Sequence, residues 1–190
     1  LEKEKEKVEQ LLLNILPEDT ARELRDKGKA RARNYRKVSI MFTDFVGFTR
    51  KAEDYTPSEL VEKLDGYFSK FDAVIEKYNL EKIKTIGDAY MCAGGIPIRN
   101  KTNPIETVLA GLEIQKTIKT LQQENKDPDD PIWDLRVGIN TGEIVAGVIG
   151  SKRFAYDIWG QAVNLANRME THGEAGKVNV SEKTFDFIEP

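Results

Sequence analysis

Ile83-Lys-Thr-Ile-Gly-Asp-Ala-Tyr-Met-Cys-Ala93 is the stretch that decides the fold. Two short β-prone runs, Ile83–Ile86 and Ala89–Ala93, are separated only by Gly87–Asp88. Glycine first in a two-residue loop suits a type II′ turn, because it adopts positive φ without a Cβ clash. The stretch therefore predicts a hairpin with Asp88 at its exposed tip. Upstream, Thr56, Pro57 and Glu59 have the spacing of a capping box with proline at the first helical position. Leu60, Leu64, Phe68, Phe71 and Ile75 then repeat at helical period, so these aromatics read as core. Further upstream, Val38, Ile40 and Phe42 alternate with Ser39, Met41 and Thr43, a strand ending near Asp44.

Downstream, Asn103, Pro104 and Glu106 repeat the helix-start signal, and a second helix is expected to run to about Glu124. A polar loop follows over Asn125–Pro131. Leu135–Ile139 and Ile144–Val148 predict another hairpin around Thr141–Gly142, then a short segment ending near Trp159. A third helix is expected over Gln161–Thr171, a strand over Lys177–Val180 and a short terminal helix. The core order, strand, helix, strand, strand, helix, strand, predicts an α+β domain: a ferredoxin-like βαββαβ core with additional strands and helices. That architecture hosts many activities, so function has to be read from a site.

Ahead of this core, residues 1–16 are helical in pattern. Leu1, Val8 and Ile15 recur every seven residues, with Leu11 and Leu12 on the same stripe; two heptads fit a coiled coil and a solvated amphipathic helix alike. Pro17 interrupts the pattern, a short second helix is expected, and Gly28 suits its C-terminal cap. Lys27 to Lys37 reads as an exposed basic linker. The 190 residues suffice for one domain with a full core. A net charge of −3 argues against nucleic acid as the main partner. No apolar run approaches the roughly 20 residues of a membrane span. The single cysteine, Cys92, lies in an apolar run and reads as core, and the single histidine, His172, reads as surface.

Asp44 ends one predicted strand and Asp88 tips the next hairpin. In a ferredoxin-like sheet those strands are adjacent, so the carboxylates would stand side by side. Two carboxylates at such a distance repel unless cations bind between them, and magnesium binds through one or two carboxylates plus substrate phosphates. A pair of ordinary turn aspartates would have the same spacing. After Asp44, Phe45-Val-Gly-Phe-Thr49 leaves a strand and approaches a helix. Its backbone N–H groups would cradle phosphates, although a tight turn explains Gly47 equally well.

Four longer motifs carry a resemblance. Phe42-Thr-Asp-Phe-Val-Gly-Phe-Thr49, Lys82-Ile-Lys-Thr-Ile-Gly-Asp-Ala-Tyr-Met91, Leu135-Arg-Val-Gly-Ile-Asn-Thr-Gly142 with Val145-Ala-Gly-Val-Ile-Gly150, and Tyr156-Asp-Ile-Trp-Gly-Gln-Ala-Val-Asn-Leu-Ala-Asn-Arg-Met169 resemble the signatures of class III nucleotide cyclases, in the same order. The resemblance implies the class III cyclase fold over residues 36–190, with residues 1–35 as a helical linker or signalling helix. It implies that Asp44, Asp88 and the backbone carbonyl of Phe45 hold two divalent ions, Mg2+ or Mn2+. Phe45, Val46, Gly47, Phe48 and Thr49 would bind the triphosphate, and Lys84 and Asp157 would read the adenine edge of ATP. Asn164 would position the ribose and Arg168 would stabilise charge at phosphorus.

The implied reaction makes 3′,5′-cyclic AMP and pyrophosphate in a head-to-tail homodimer, on the cytosolic side and downstream of a sensor or membrane module. Relatives that use GTP typically carry glutamate and cysteine where this chain has Lys84 and Asp157. A guanylyl cyclase is therefore the first alternative, and a non-catalytic cyclase-like regulatory domain the second. A diguanylate cyclase would need a Gly-Gly-Asp/Glu-Glu-Phe turn where this chain reads Ile86-Gly-Asp-Ala89. Two departures stand out. Glu143 occupies a position where some mammalian relatives carry a phosphate-binding arginine. The family also continues past the position of Pro190 with further strands and a Val-Lys-Gly-Lys-Gly-like segment, so C-terminal strands are expected to be missing here.

Overall fold

The computed structural model describes residues 2–151 and 153–190. Helix α1 (Glu2–Leu13) and helix α2 (Glu18–Lys27) meet at Pro17. Gly28 closes α2 in the left-handed region, φ 69°, and donates its N–H to Leu24 O. Leu16 and Ala21 are buried against the sheet, whereas Leu11 and Ile15 are exposed. Leu1 of the heptad pattern lies outside the described residues, as does the side chain of Val8.

The sheet is built from β1 (Arg33–Phe45), β2 (Glu81–Ile86), β3 (Ala89–Gly94), β4 (Leu135–Ile149), β5 (Ala155–Trp159) and β6 (Val178–Val180). Its order is β2-β3-β1-β4-β5, with β6 joined parallel to β4. The ferredoxin-like unit is the β2-β3-β1-β4 portion, crossed by α4 (Pro57–Lys77) and α5 (Asn103–Glu124). These two helices cover one face through Met41, Phe45, Cys92, Val137 and Ile139. The opposite face presents Ile40, Phe42, Met91 and Ala93 to α6 (Gln161–Thr171) and to Leu16 and Ala21. Alternation along β1 thus serves two cores, one per face.

Local signals explain most boundaries. Thr56 and Glu59 form the expected reciprocal capping box. The apolar stripe of α4 runs deeper than the sequence places it: Tyr67, Phe71, Val74 and Ile75 are buried, while Leu60, Leu64 and Phe68 are only partly covered. Helix α5 starts at Asn103, whose N–H is accepted by Asn100 Oδ1, so the cap lies earlier than expected. Cys92 is fully buried in the core and His172 is exposed, as expected.

Two expectations are corrected. The basic stretch ending at Lys37 is not all linker, since β1 begins at Arg33. Arg33, Asn34 and Tyr35 pair with Ala146, Val145 and Ile144, and Tyr35 is buried. The predicted hairpin at Thr141–Gly142 does not exist. Residues 135–149 form one continuous strand whose centre pairs Asn140, Thr141 and Gly142 with Ile40, Ser39 and Val38. The glycines there serve close packing rather than turning. A Cβ on Gly138 would lie 1.9 Å from Glu170 N, and one on Gly142 would lie 2.7 Å from Ala162 Cβ, so α6 rests directly on β4. Thr141 is held within the sheet by buried hydroxyl contacts to Ser39 and to Thr184 of α7 (Glu182–Ile188).

Candidate active site

β1 and β3 are hydrogen-bonded neighbours, with Thr43 opposite Tyr90, so Asp44 and the Gly87–Asp88 turn reach the same end of the sheet. Gly87 has φ 59° and Asp88 is not in the positive-φ region, the pattern of a type II′ turn. The Phe45 N–H donates to Asp88 Oδ2 at 3.3 Å. The Asp88 carboxyl is pushed up to about 7, first by burial and then by the adjacent Asp44 carboxyl. Two acidic groups crowded in this way are a place where a cation relieves repulsion. No cluster of three or more His, Cys, Asp or Glu side chains suited to a metal occurs among the described residues. A pair of carboxylates alone suits a hard cation that keeps water and substrate oxygens as its other ligands.

The segment after Asp44 is anchored from below. Phe45 packs on Tyr67 at 4.7 Å and Trp133 at 5.5 Å between ring centroids, and Phe48 packs on Trp133 at 5.8 Å. The Val46 N–H donates to Asp134 O. Gly47, at φ 69°, then turns the chain into the short helix α3 (Phe48–Lys51), a conformation that favours glycine. The loop Phe45–Thr49 therefore stands on a rigid aromatic floor, with first-turn N–H groups that have no intrahelical acceptor.

Lys84 of β2 and Asp157 of β5 come from strands at opposite ends of the sheet order, yet Lys84 Nζ lies 2.6 Å from Asp157 Oδ2. The second oxygen of Asp157 accepts the Ile158 N–H, which fixes the carboxylate. Asn164 and Arg168 lie one turn apart on an exposed face of α6. Among the described residues, neither side chain is bonded to Asp44, Asp88, Lys84 or Asp157. The structure thus assembles two groups, Asp44 with Asp88 and Lys84 with Asp157, and leaves Asn164 and Arg168 bonded to neither.

One residue that the sequence reading passed over belongs to this region. Arg136 lies directly across from Asp44 in the β1–β4 register. Its Nη2 donates to Asp44 Oδ2 at 3.3 Å and its Nε donates to Glu170 Oε1 at 3.0 Å. Glu170 is only 4% exposed, and burial followed by the Asp44 charge raises its carboxyl despite the opposing arginine. The signal was available: a continuous β4 paired with β1 puts Arg136 beside Asp44, and the hairpin reading concealed that register.

A profile of the adenylate and guanylate cyclase catalytic domain family matches residues 30–189. The chain is 39% identical over 190 residues to an adenylate cyclase of Mycobacterium tuberculosis, covering 99% of this chain and 42% of the relative. It is 33% identical over 189 residues to a membrane guanylyl cyclase of Dictyostelium discoideum, covering 99% of this chain and 12% of the relative. Among solved structures, the adenylyl cyclase CyaB from P. aeruginosa superposes with a TM-score of 0.75 at 30% identity, over 84% of this chain and 83% of that one. The chain thus spans less than half the length of either sequence relative.

Proposed function

The chain belongs to the adenylate and guanylate cyclase catalytic domain family, and on that premise we propose that it is an adenylyl cyclase domain, converting ATP to 3′,5′-cyclic AMP and pyrophosphate at sites shared across a head-to-tail homodimer. The observation that carries the choice of ATP is the Lys84–Asp157 pair. Adenine offers a ring-nitrogen acceptor beside an amino donor, and an ammonium beside a carboxylate matches that edge. Guanine presents the reverse polarity, which would leave both side chains facing like partners.

In this reading Asp44, Asp88 and the Phe45 carbonyl hold two divalent cations, Mg2+ or Mn2+. Such cations, when bound, lower the pKa of an attacking hydroxyl and neutralise leaving phosphates. The loop Phe45–Thr49 grips the triphosphate, and Lys84 and Asp157 of the partner subunit seat the base. Asn164 from the partner's α6 orients the ribose, and Arg168 beside it offsets charge at the α-phosphorus. The ribose 3′-oxygen gives up its proton to solvent and bonds to that phosphorus as the bond to the bridging oxygen breaks, and pyrophosphate leaves with the electron pair. Positioning and charge account for the catalysis, and no covalent intermediate is required.

The dimer is proposed because, among the described residues, Asn164 and Arg168 are exposed and make no bond to the carboxylate pair of their own chain, and a second chain would bring the two sets together. No helix among the described residues is long and apolar enough to cross a membrane. We place the domain on the cytosolic side, downstream of a sensor or membrane module within a longer protein, with α1 and α2 as the connection.

The specificity reading has a direct test. Lys84→Glu with Asp157→Cys is expected to lower kcat/KM for ATP at least about a hundredfold, since two polar groups of the base are left unpaired. ATP kinetics unchanged in this double variant would remove the base-reading roles.

A further inference from the structure

Arg136 has two fixed directions. The guanidinium is a planar fork, so Nη2 and Nε engage different carboxylates without any torsional choice. One of them is Asp44, its cross-strand neighbour; the other is Glu170, on the helix that carries Asn164 and Arg168. Glu170 reaches this point because Gly138 lets the α6 backbone touch β4. Arg136 and Gly138 are two residues apart on the strand, so they share the face on which α6 lies. A buried glutamate in that position would be costly without a cation beside it.

We propose that Arg136 is a positioning residue of the cyclase reaction: it holds the Asp44 carboxylate beside Asp88 and ties it, through Glu170, to the helix that carries Asn164 and Arg168. The proposal rests on the reading of Asp44 and Asp88 as the metal pair. A carboxylate that ligates a cation needs a hydrogen-bond donor on its other side to fix its plane, and loss of such a donor costs about 10–100-fold in metal affinity or activity. The arginine also links two functions within one chain. In a head-to-tail dimer, Asp44 and α6 of the same chain serve different sites, so the bridge Asp44–Arg136–Glu170 mechanically joins the two.

The test is Mn2+ binding, followed by electron paramagnetic resonance of the free ion without nucleotide. The unchanged protein, Asp88→Asn, Arg136→Lys and the paired variant Arg136→Met with Glu170→Gln are compared. The pair removes both charges together and leaves no uncompensated buried carboxylate at Glu170. The expected result is Asp88-dependent binding in the unchanged protein, weakened about 10–100-fold in the paired variant while the metal-free melting temperature is retained. Arg136→Lys keeps the charge but not the fork, so it should also bind Mn2+ more weakly and lower kcat more than it raises KM for ATP. Equal Mn2+ affinity in the unchanged and paired proteins would overturn the positioning role and leave the metal pair standing. Absence of Asp88-dependent binding in the unchanged protein would overturn the metal pair and the positioning role with it. If the paired variant does not fold, the Arg136→Lys titration decides alone, with unchanged affinity as the contrary result.

Discussion

Asp44→Ala and Asp88→Ala are each expected to lower cyclase turnover by roughly a thousandfold or more, with the fold intact. Loss of one carboxylate removes a cation worth several kcal/mol of transition-state stabilisation, and each 1.36 kcal/mol is about tenfold in rate. The fold should survive because the pair is held together against repulsion. Asp88 has a folded-state pKa raised from 3.8 to about 7. Its contribution to stability is therefore fully present below about 4 and is lost as pH rises through about 7. Replacing it removes that loss, so the metal-free melting temperature at neutral pH should not fall. Near-normal turnover in either variant would contradict the two-metal assignment. A collapse in melting temperature would show that the carboxylates are structural.

Complementation gives the second large effect. Asp44→Ala and Arg168→Ala should each be inactive alone, since an arginine facing the transferred phosphoryl group is worth roughly a thousandfold or more. When the two variants are mixed, a heterodimer has one site with both defects and one with neither. Random pairing makes half the dimers heterodimers, so about a quarter of the unmutated activity should return. If heterodimers form and nothing returns, the shared-site proposal fails. If Arg168→Ala alone retains activity, the role given to α6 fails instead.

Much of this was legible because the signals were local. The hairpin at Gly87–Asp88, the capping box at Thr56 and the limits of α6 each depend on a few neighbouring residues, and each is found as expected. The approach of Asp44 to Asp88 followed from topology, since a ferredoxin-like order makes their strands neighbours. β4 was misread because Gly142 resembles a turn glycine. Its reason is tertiary, namely the approach of Ala162 on a helix twenty residues later. The same error hid Arg136, because cross-strand partners can be named only once the register is known. The early start of β1 was obscured by charge: Arg33 and Arg36 dominate that stretch, and only the burial of Tyr35 against the second core reveals a strand.

The contact between Lys84 and Asp157 bears most closely on the central claim, because the family includes enzymes of both base specificities and the proposed choice of ATP rests on this pair. The most direct measurement is product analysis after incubation with ATP and with GTP, each with Mg2+ or Mn2+. The account predicts 3′,5′-cyclic AMP and pyrophosphate from ATP, with little cyclic GMP from GTP under the same conditions. Cyclic GMP as the dominant product, or no cyclic nucleotide from either substrate with both metals, would contradict it.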